Sequence, residues 1–172
     1  MFNKNIFICL VSLSIIYSCS ESSGWSSTLP HSTQRTPDNE IQFSVDGKIV
    51  KTNGWNISRF DMGHGIGLNI TSNMHENKRT IAFNVNGYLP GTYQISDKSS
   101  ANSAYGDYKP DYSDLLNSYS FKEGSINIIS IDTVKGLLNA SFSGTVVKGT
   151  EQIRISDGRI INGKLKAGIT KY

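Results

Sequence analysis

From Glu40 onward the chain alternates. Ile41-Gln42-Phe43-Ser44-Val45 puts three large apolar side chains on one face and two polar ones on the other. Ile66-Gly67-Leu68-Asn69-Ile70, Ile81-Ala82-Phe83-Asn84-Val85 and Gln152-Ile153-Arg154-Ile155-Ser156 repeat the period, and Leu138, Ala140, Phe142 and Val146 share a face against Asn139, Ser141, Ser143 and Thr145. Successive side chains of a strand point to opposite faces, so this period is that of half-buried antiparallel strands. A parallel sheet covered on both faces would read as continuous apolar runs instead.

Turn chemistry agrees with the alternation. Asp46-Gly47, Asn53-Gly54, Asn86-Gly87, Asp157-Gly158 and Asn162-Gly163 are Asx-Gly pairs, which tolerate the two positive φ angles of a type I′ hairpin turn. Strands are expected at 41–45, 48–52, 55–60, 66–72, 80–86, 91–95, 119–121, 125–132, 137–148, 152–156 and 159–165. Ile126, Ile128, Ile129 and Ile131 change phase midway, which points to a bulge or to a strand buried on both faces. No stretch after residue 24 carries a helical period beyond a single turn over 110–117. The expected fold is all-β: one antiparallel β-sandwich or partly closed barrel over residues 40–172, with Phe83 and Phe142 facing its core.

The first residues read as an address. Lys4 begins a short basic region, and Ile6 to Ile16 follow without a charge. Eleven residues are too few for a bilayer, which needs about 20, and they fit the apolar region of a secretory signal peptide over residues 1–18. A buried core helix is the competing reading, and the basic start and small-residue boundary weigh against it. Ile16-Tyr17-Ser18-Cys19 resembles a bacterial lipobox, with Tyr17 the atypical position. That resemblance implies that Cys19 becomes the first residue of the mature chain and carries a thioether-linked diacylglycerol, a step that needs a thiolate nucleophile. The competing reading of Cys19 is a lone thiol beside an ordinary cleavage site. With Cys9 removed and Cys19 lipidated, the β domain has no cysteine to cross-link it. Loss of Lys4 takes the net charge from +3 to +2, so attachment to a membrane falls to the lipid rather than to basic residues. So small a charge also gives no footprint for nucleic acid. Residues 19–39 are the lipidated cysteine and a Ser/Thr/Pro-rich tether without hydrophobic period. Trp25 in that segment is either a loosely docked aromatic or a contact with the membrane interface.

Three strings occur in order within the β region: Phe43-Ser44-Val45-Asp46-Gly47, Pro90-Gly91-Thr92-Tyr93, and Phe142-Ser143-Gly144-Thr145 followed by Ile155-Ser156-Asp157-Gly158-Arg159. Behind a lipobox, their order and spacing over residues 40–165 resemble a family of small lipoproteins of Bacteroidetes-type bacteria. The resemblance implies an envelope lipoprotein with one β domain. It carries over no catalytic residue and no cofactor. Asp132-Thr133-Val134 also looks like the short O-glycosylation motif of such bacteria, against the plain reading of a turn. The Asn-x-Ser/Thr triplets at Asn56, Asn69 and Asn139 carry no weight behind a bacterial lipoprotein signal.

Chemistry-bearing clusters are sparse. Asp61, His64 and His75 are the one trio that a hairpin can bring toward a Zn²⁺ ion, but their spacing matches no ligand pattern and favours solvated turn residues. Ser141 and Ser143 have no histidine nearby in sequence to act as base, and no G-x-S-x-G elbow is present. Gly63, Gly65 and Gly67 precede a strand rather than the helix that a phosphate-binding loop requires. Neither catalytic residues nor a metal site are therefore expected. Residues 96–118 form the longest expected connection, and long loops tend to be functional. Tyr105, Tyr108 and Tyr112 stand there beside Asp107, Asp111 and Asp114. Tyrosines with a flat apolar face and a polar tip suit a glycan or protein ligand, and the plain alternative is that they fold back onto a sheet edge. Three functions remain in view: a non-catalytic binding or structural module on the envelope, a lipocalin-like carrier of a small apolar ligand, and an envelope hydrolase. The first is the expected one, with the chain lipid-anchored, most simply at the outer membrane.

Overall fold

The computed structural model describes residues 39–52, 54–72, 78–96, 100 and 102–171. The expected signal peptide, Cys19, Trp25, His31 and the tether to residue 38 lie outside the described residues, as does His75. The described chain is all-β. Its ten strands are β1 (Glu40–Val45), β2 (Lys48–Thr52), β3 (Trp55–Asp61), β4 (Ile66–Ser72), β5 (Thr80–Val85), β6 (Gly91–Ile95), β7 (Ser103–Lys109), β8 (Tyr119–Asp132), β9 (Leu137–Lys148) and β10 (Glu151–Thr170).

All ten join one sheet in the order β2-β1-β10-β3-β4-β5-β7-β6-β8-β9, and β9 pairs in turn with β10. The sheet therefore closes on itself from β10 through β3, β4, β5, β7, β8 and β9 back to β10, with the β1–β2 ribbon outside the ring. The ring is irregular because its two longest strands change partners along their length. β8 pairs with β7 near Tyr119 and with β6 from Ser125 to Ile128. β10 pairs with β1 from Ile155 to Ile161 and with β3 from Leu165 to Thr170. Most pairings are antiparallel, but β10 runs parallel to β3 and β6 runs parallel to β7.

Alternation places the core as expected. Phe43, Ile57, Leu68, Ile70, Phe83, Leu138, Phe142 and Ile155 are all buried. Their rings meet in one cluster: Phe142 lies 5.0 Å from Phe83, 6.1 Å from Phe43 and 6.3 Å from Trp55 between centroids. Phe83 continues it to Phe121 at 5.1 Å, and Phe43 to Tyr108 at 6.3 Å. At such spacings tilted and edge-on pairs add to the burial of apolar area.

The Asx-Gly pairs divide into two uses. Asp46 and Gly47, at φ 46° and 77°, make the β1–β2 hairpin turn. Asp157-Gly158, expected as a turn between separate strands, and Asn162-Gly163, inside the strand expected at 159–165, are bulges within β10, where the register with β9 slips between Ile155 and Gly158 and between Ile160 and Gly163. Asp157 and Asn162 take the left-handed backbone there, at φ 54° and 51°. A bulge needs that conformation as much as a turn does, and continuous pairing with β9 on the far side decides for the bulge. The two strands expected at 152–156 and 159–165 are thus one. So are those at 119–121 and 125–132, and the phase change in the isoleucines is a slip against β9 between Ile128 and Ser130 that leaves Ile129 outside. Asn86-Gly87 makes no hairpin, since β5 pairs with β7 and not with β6.

The largest correction concerns residues 96–118. Ser103–Lys109 is a strand, β7, inserted between β5 and β6. What remains connects β7 to β8 through two short turns over 110–118.

Candidate binding surface

The tyrosines of that segment are separated by β7. Tyr108 points inward and is 2% exposed, with its ring against Phe43 and Tyr119, and burial raises its phenol above the usual value. Tyr105, on the opposite face of the same strand, and Tyr112, beyond its end, are exposed. The three therefore present no common surface, and Tyr108 belongs to the core. Tyr112 sits on a braced turn. Its N–H donates to the Lys78 carbonyl at 2.7 Å, and Asp111 Oδ1 accepts from the Ser113 N–H and hydroxyl. Those bonds, together with Lys78 3.5 Å away, hold the Asp111 carboxyl below its ordinary range.

Of the expected metal trio, Asp61 accepts from the Gly63 N–H at 2.8 Å in the β3–β4 turn, and His64 is exposed beside it. Among the described residues no three His, Cys, Asp or Glu side chains converge on a point. Asp132-Thr133-Val134 lies in the β8–β9 turn, where Asp132 Oδ1 accepts from the N–H groups of Val134 and Lys135.

A surface that the sequence did not single out lies across the outer faces of β8, β9 and β10. Register brings Ser125 opposite Ser143, Asn127 opposite Ser141, Ser141 opposite Arg159 and Thr145 opposite Arg154. Two adjoining depressions of about 420 and 560 Å³ cover this face and share Ser125, Ser143, Arg154 and Ser156. Phe142 and Gly158 line the first together with Arg159 and Asp157, and Gln94 and Glu123 extend the second toward β6. The result is one groove walled by hydroxyls, amides and two guanidinium groups.

Backbone geometry sets the positions of these groups. The β1–β2 turn docks on β10 by a reciprocal pair: Asp46 N–H donates to the Arg154 carbonyl and the Arg154 N–H donates to Asp46 Oδ1, each at 3.0 Å. This pins the Arg154 main chain from behind. The bulge at Asp157 inserts an extra residue, so Arg154 and Arg159, five apart in sequence, come to the same outer face. The acidic neighbours are already engaged by hydroxyls. Thr145 Oγ1 donates to Glu123 at 3.2 Å, and Ser156 Oγ donates to Asp157 at 2.9 Å. Arg154 and Arg159 make no ion pair among the described residues.

A second, less polar cleft of about 360 Å³ is lined by Met62, His64, Tyr88, Leu89, Pro90 and Asn102 among others. Tyr93 donates its hydroxyl to the Leu89 carbonyl at 2.9 Å and fixes one wall.

No family model, curated protein or solved structure matches this chain.

Proposed function

We propose that the chain is a lipid-anchored, non-catalytic binding module of the bacterial envelope, which offers the groove across β8–β10 to an extended hydroxylated ligand, a glycan. The observation that carries the binding half of this reading is a wall of hydroxyl, amide and guanidinium groups with unspent hydrogen-bonding capacity on a face whose backbone is fully engaged in the sheet. The lipobox at Ile16–Cys19, the tether behind it and the resemblance to Bacteroidetes-type lipoproteins support the anchored half, with the domain held outside the cytoplasm. Two experiments test the halves separately. A palmitate analogue fed to cells is expected to label the chain and to fail on Cys19→Ala, and equal labelling of both overturns the anchor. Ser141→Trp, which fills the groove from an exterior strand position, is expected to abolish glycan retention while leaving the melt unchanged.

A carrier of a small apolar ligand is the second reading. The ring cluster around Phe142 occupies the interior that a lipocalin-like carrier would keep open, so the cleft beside Met62, Tyr88 and Leu89 is the place that supports it. Its lining is more apolar than that of the groove, and its volume falls within the range of small-molecule sites.

A further inference from the structure

We infer that the ligand of the β8–β10 groove is an acidic polysaccharide, whose carboxylates are held by Arg154 and Arg159 while Ser125, Asn127, Ser141 and Ser143 pair with its hydroxyls. This rests on the glycan reading above and goes further by naming the charge.

The two arginines carry the inference. Both line the same depression. A guanidinium presents a planar fork of donors that matches a carboxylate in two parallel bonds, and here neither fork is spent on an acidic side chain among the described residues. Glu123 and Asp157 also border the groove and keep their charge while accepting hydrogen bonds from the Thr145 and Ser156 hydroxyls, so a ligand's carboxylates are drawn to the two guanidinium groups and not to the groove as a whole. Four strand rises of about 3.3 Å, or about 13 Å, separate the backbone positions of Arg154 and Arg159 once the bulge absorbs one residue, so a sugar chain laid along β10 passes both side chains and can meet each with a separate acid group.

The lining favours sugar over acidic peptide. A peptide commonly binds a sheet by adding a strand to a free edge, and in this region the N–H and C=O groups of β9 are committed on both sides, to β8 and to β10. Small hydroxyl and amide side chains that both donate and accept suit the hydroxyls of a sugar.

The test uses the full chain, purified from membranes in detergent, with three polymers: polygalacturonate, its fully methyl-esterified form, and polyglutamate. The expected result is that polygalacturonate binds at least about tenfold more tightly than the ester, and that the preference weakens as salt screens the charges. The double variant Arg154→Gln/Arg159→Gln is expected to bind polygalacturonate no better than the ester while melting like the parent. The double variant Arg154→Lys/Arg159→Lys is expected to keep only part of the preference, because it retains the charge without the fork. Equal binding of acid and ester, or an Arg double variant that keeps the preference, overturns the acidic-sugar inference and leaves the glycan reading standing. Polyglutamate bound as tightly as polygalacturonate overturns it in favour of acidic peptides. Retention of both sugar polymers by Ser141→Trp, or no binding of either by the parent chain, removes the groove reading itself.

Discussion

Gly158 of β10 stands opposite Phe142 of β9, and the space where its side chain would be is filled by the Phe142 ring. The glycine is required by that contact and not by its own backbone angle, since the left-handed residue of the bulge is Asp157. A methyl group at 158 must displace a ring that also touches Phe43, Trp55 and Phe83.

Gly158→Ala is therefore expected to cost about 1–3 kcal/mol through overpacking, and Phe142→Ala about 3–5 kcal/mol through the cavity it leaves. Combining Gly158→Ala with Phe142→Leu should cost less than the sum of the two single changes, because the smaller side chain makes room for the methyl group. Thermal melts of the four chains check it, and strict additivity would show that the two residues do not share the space.

Tyr108 and its sequence neighbours separate by consequence. Tyr108→Ala is expected to lower the melt as a large core truncation does, by about 3–5 kcal/mol, whereas Tyr105→Ala and Tyr112→Ala should each stay within about 0.5 kcal/mol of the parent. A Tyr108→Ala chain with an unchanged melt would contradict the pairing of β7 between β5 and β6.

Tyr119 donates its hydroxyl to Glu151 Oε2 at 2.5 Å. That bond, followed by burial and the negative charge of Glu151, raises the Tyr119 phenol above 10.0. Burial also raises Tyr93 and Tyr108. A phenol whose folded value lies above its unfolded value stabilises the fold fully below the unfolded value, and that stability is lost as pH rises through the folded value. The melt is therefore expected to be insensitive to these three groups at neutral pH and to fall above about pH 10. In Glu151→Ala, tyrosinate absorbance should show one phenol titrating at lower pH than in the parent.

Asp111 works in the opposite direction. The bonds from Ser113 lower its carboxyl, so the turn at 111–114 is expected to be firm above the ordinary carboxylate range and to loosen as pH falls through the lowered value. The protection of the Ser113 amide relative to its intrinsic exchange rate should fall on acidification, and should be low at every pH in Asp111→Ala.

Where the inward-facing residues are large, the strands were legible from alternation. β4, β6 and β9 begin and end where the sequence placed them, and Phe83 and Phe142 face the core as expected. β7 was illegible because its buried face is Ala104, Gly106 and Tyr108, small residues where the pattern calls for large ones. Gly106 is small for a reason visible only in three dimensions: a side chain there would run into the Ala82 carbonyl and the Phe83 ring of β5. The bulge of β10 at Asp157-Gly158 was misread as a turn because Asp-Gly serves both, and β9, not the local residues, chooses between them. The groove escaped notice for a related cause. Ser125, Ser141, Ser143, Arg154 and Arg159 are ordinary solvent-side residues on their own strands, and only the register of three strands makes them one surface.

β10 is the strand on which β1, β3 and β9 all depend, and it is made after every one of them. A chain made from its N-terminal end must hold those three edges unpaired until residues 151–170 arrive. The pairings of β1 and β3 with β10 join segments far apart in sequence and form slowly, and open edges meanwhile invite pairing with other chains. Loss of residues after 150 should thus leave a chain that aggregates rather than a smaller folded one, and assembly of this protein becomes an event that waits for the completion of its synthesis.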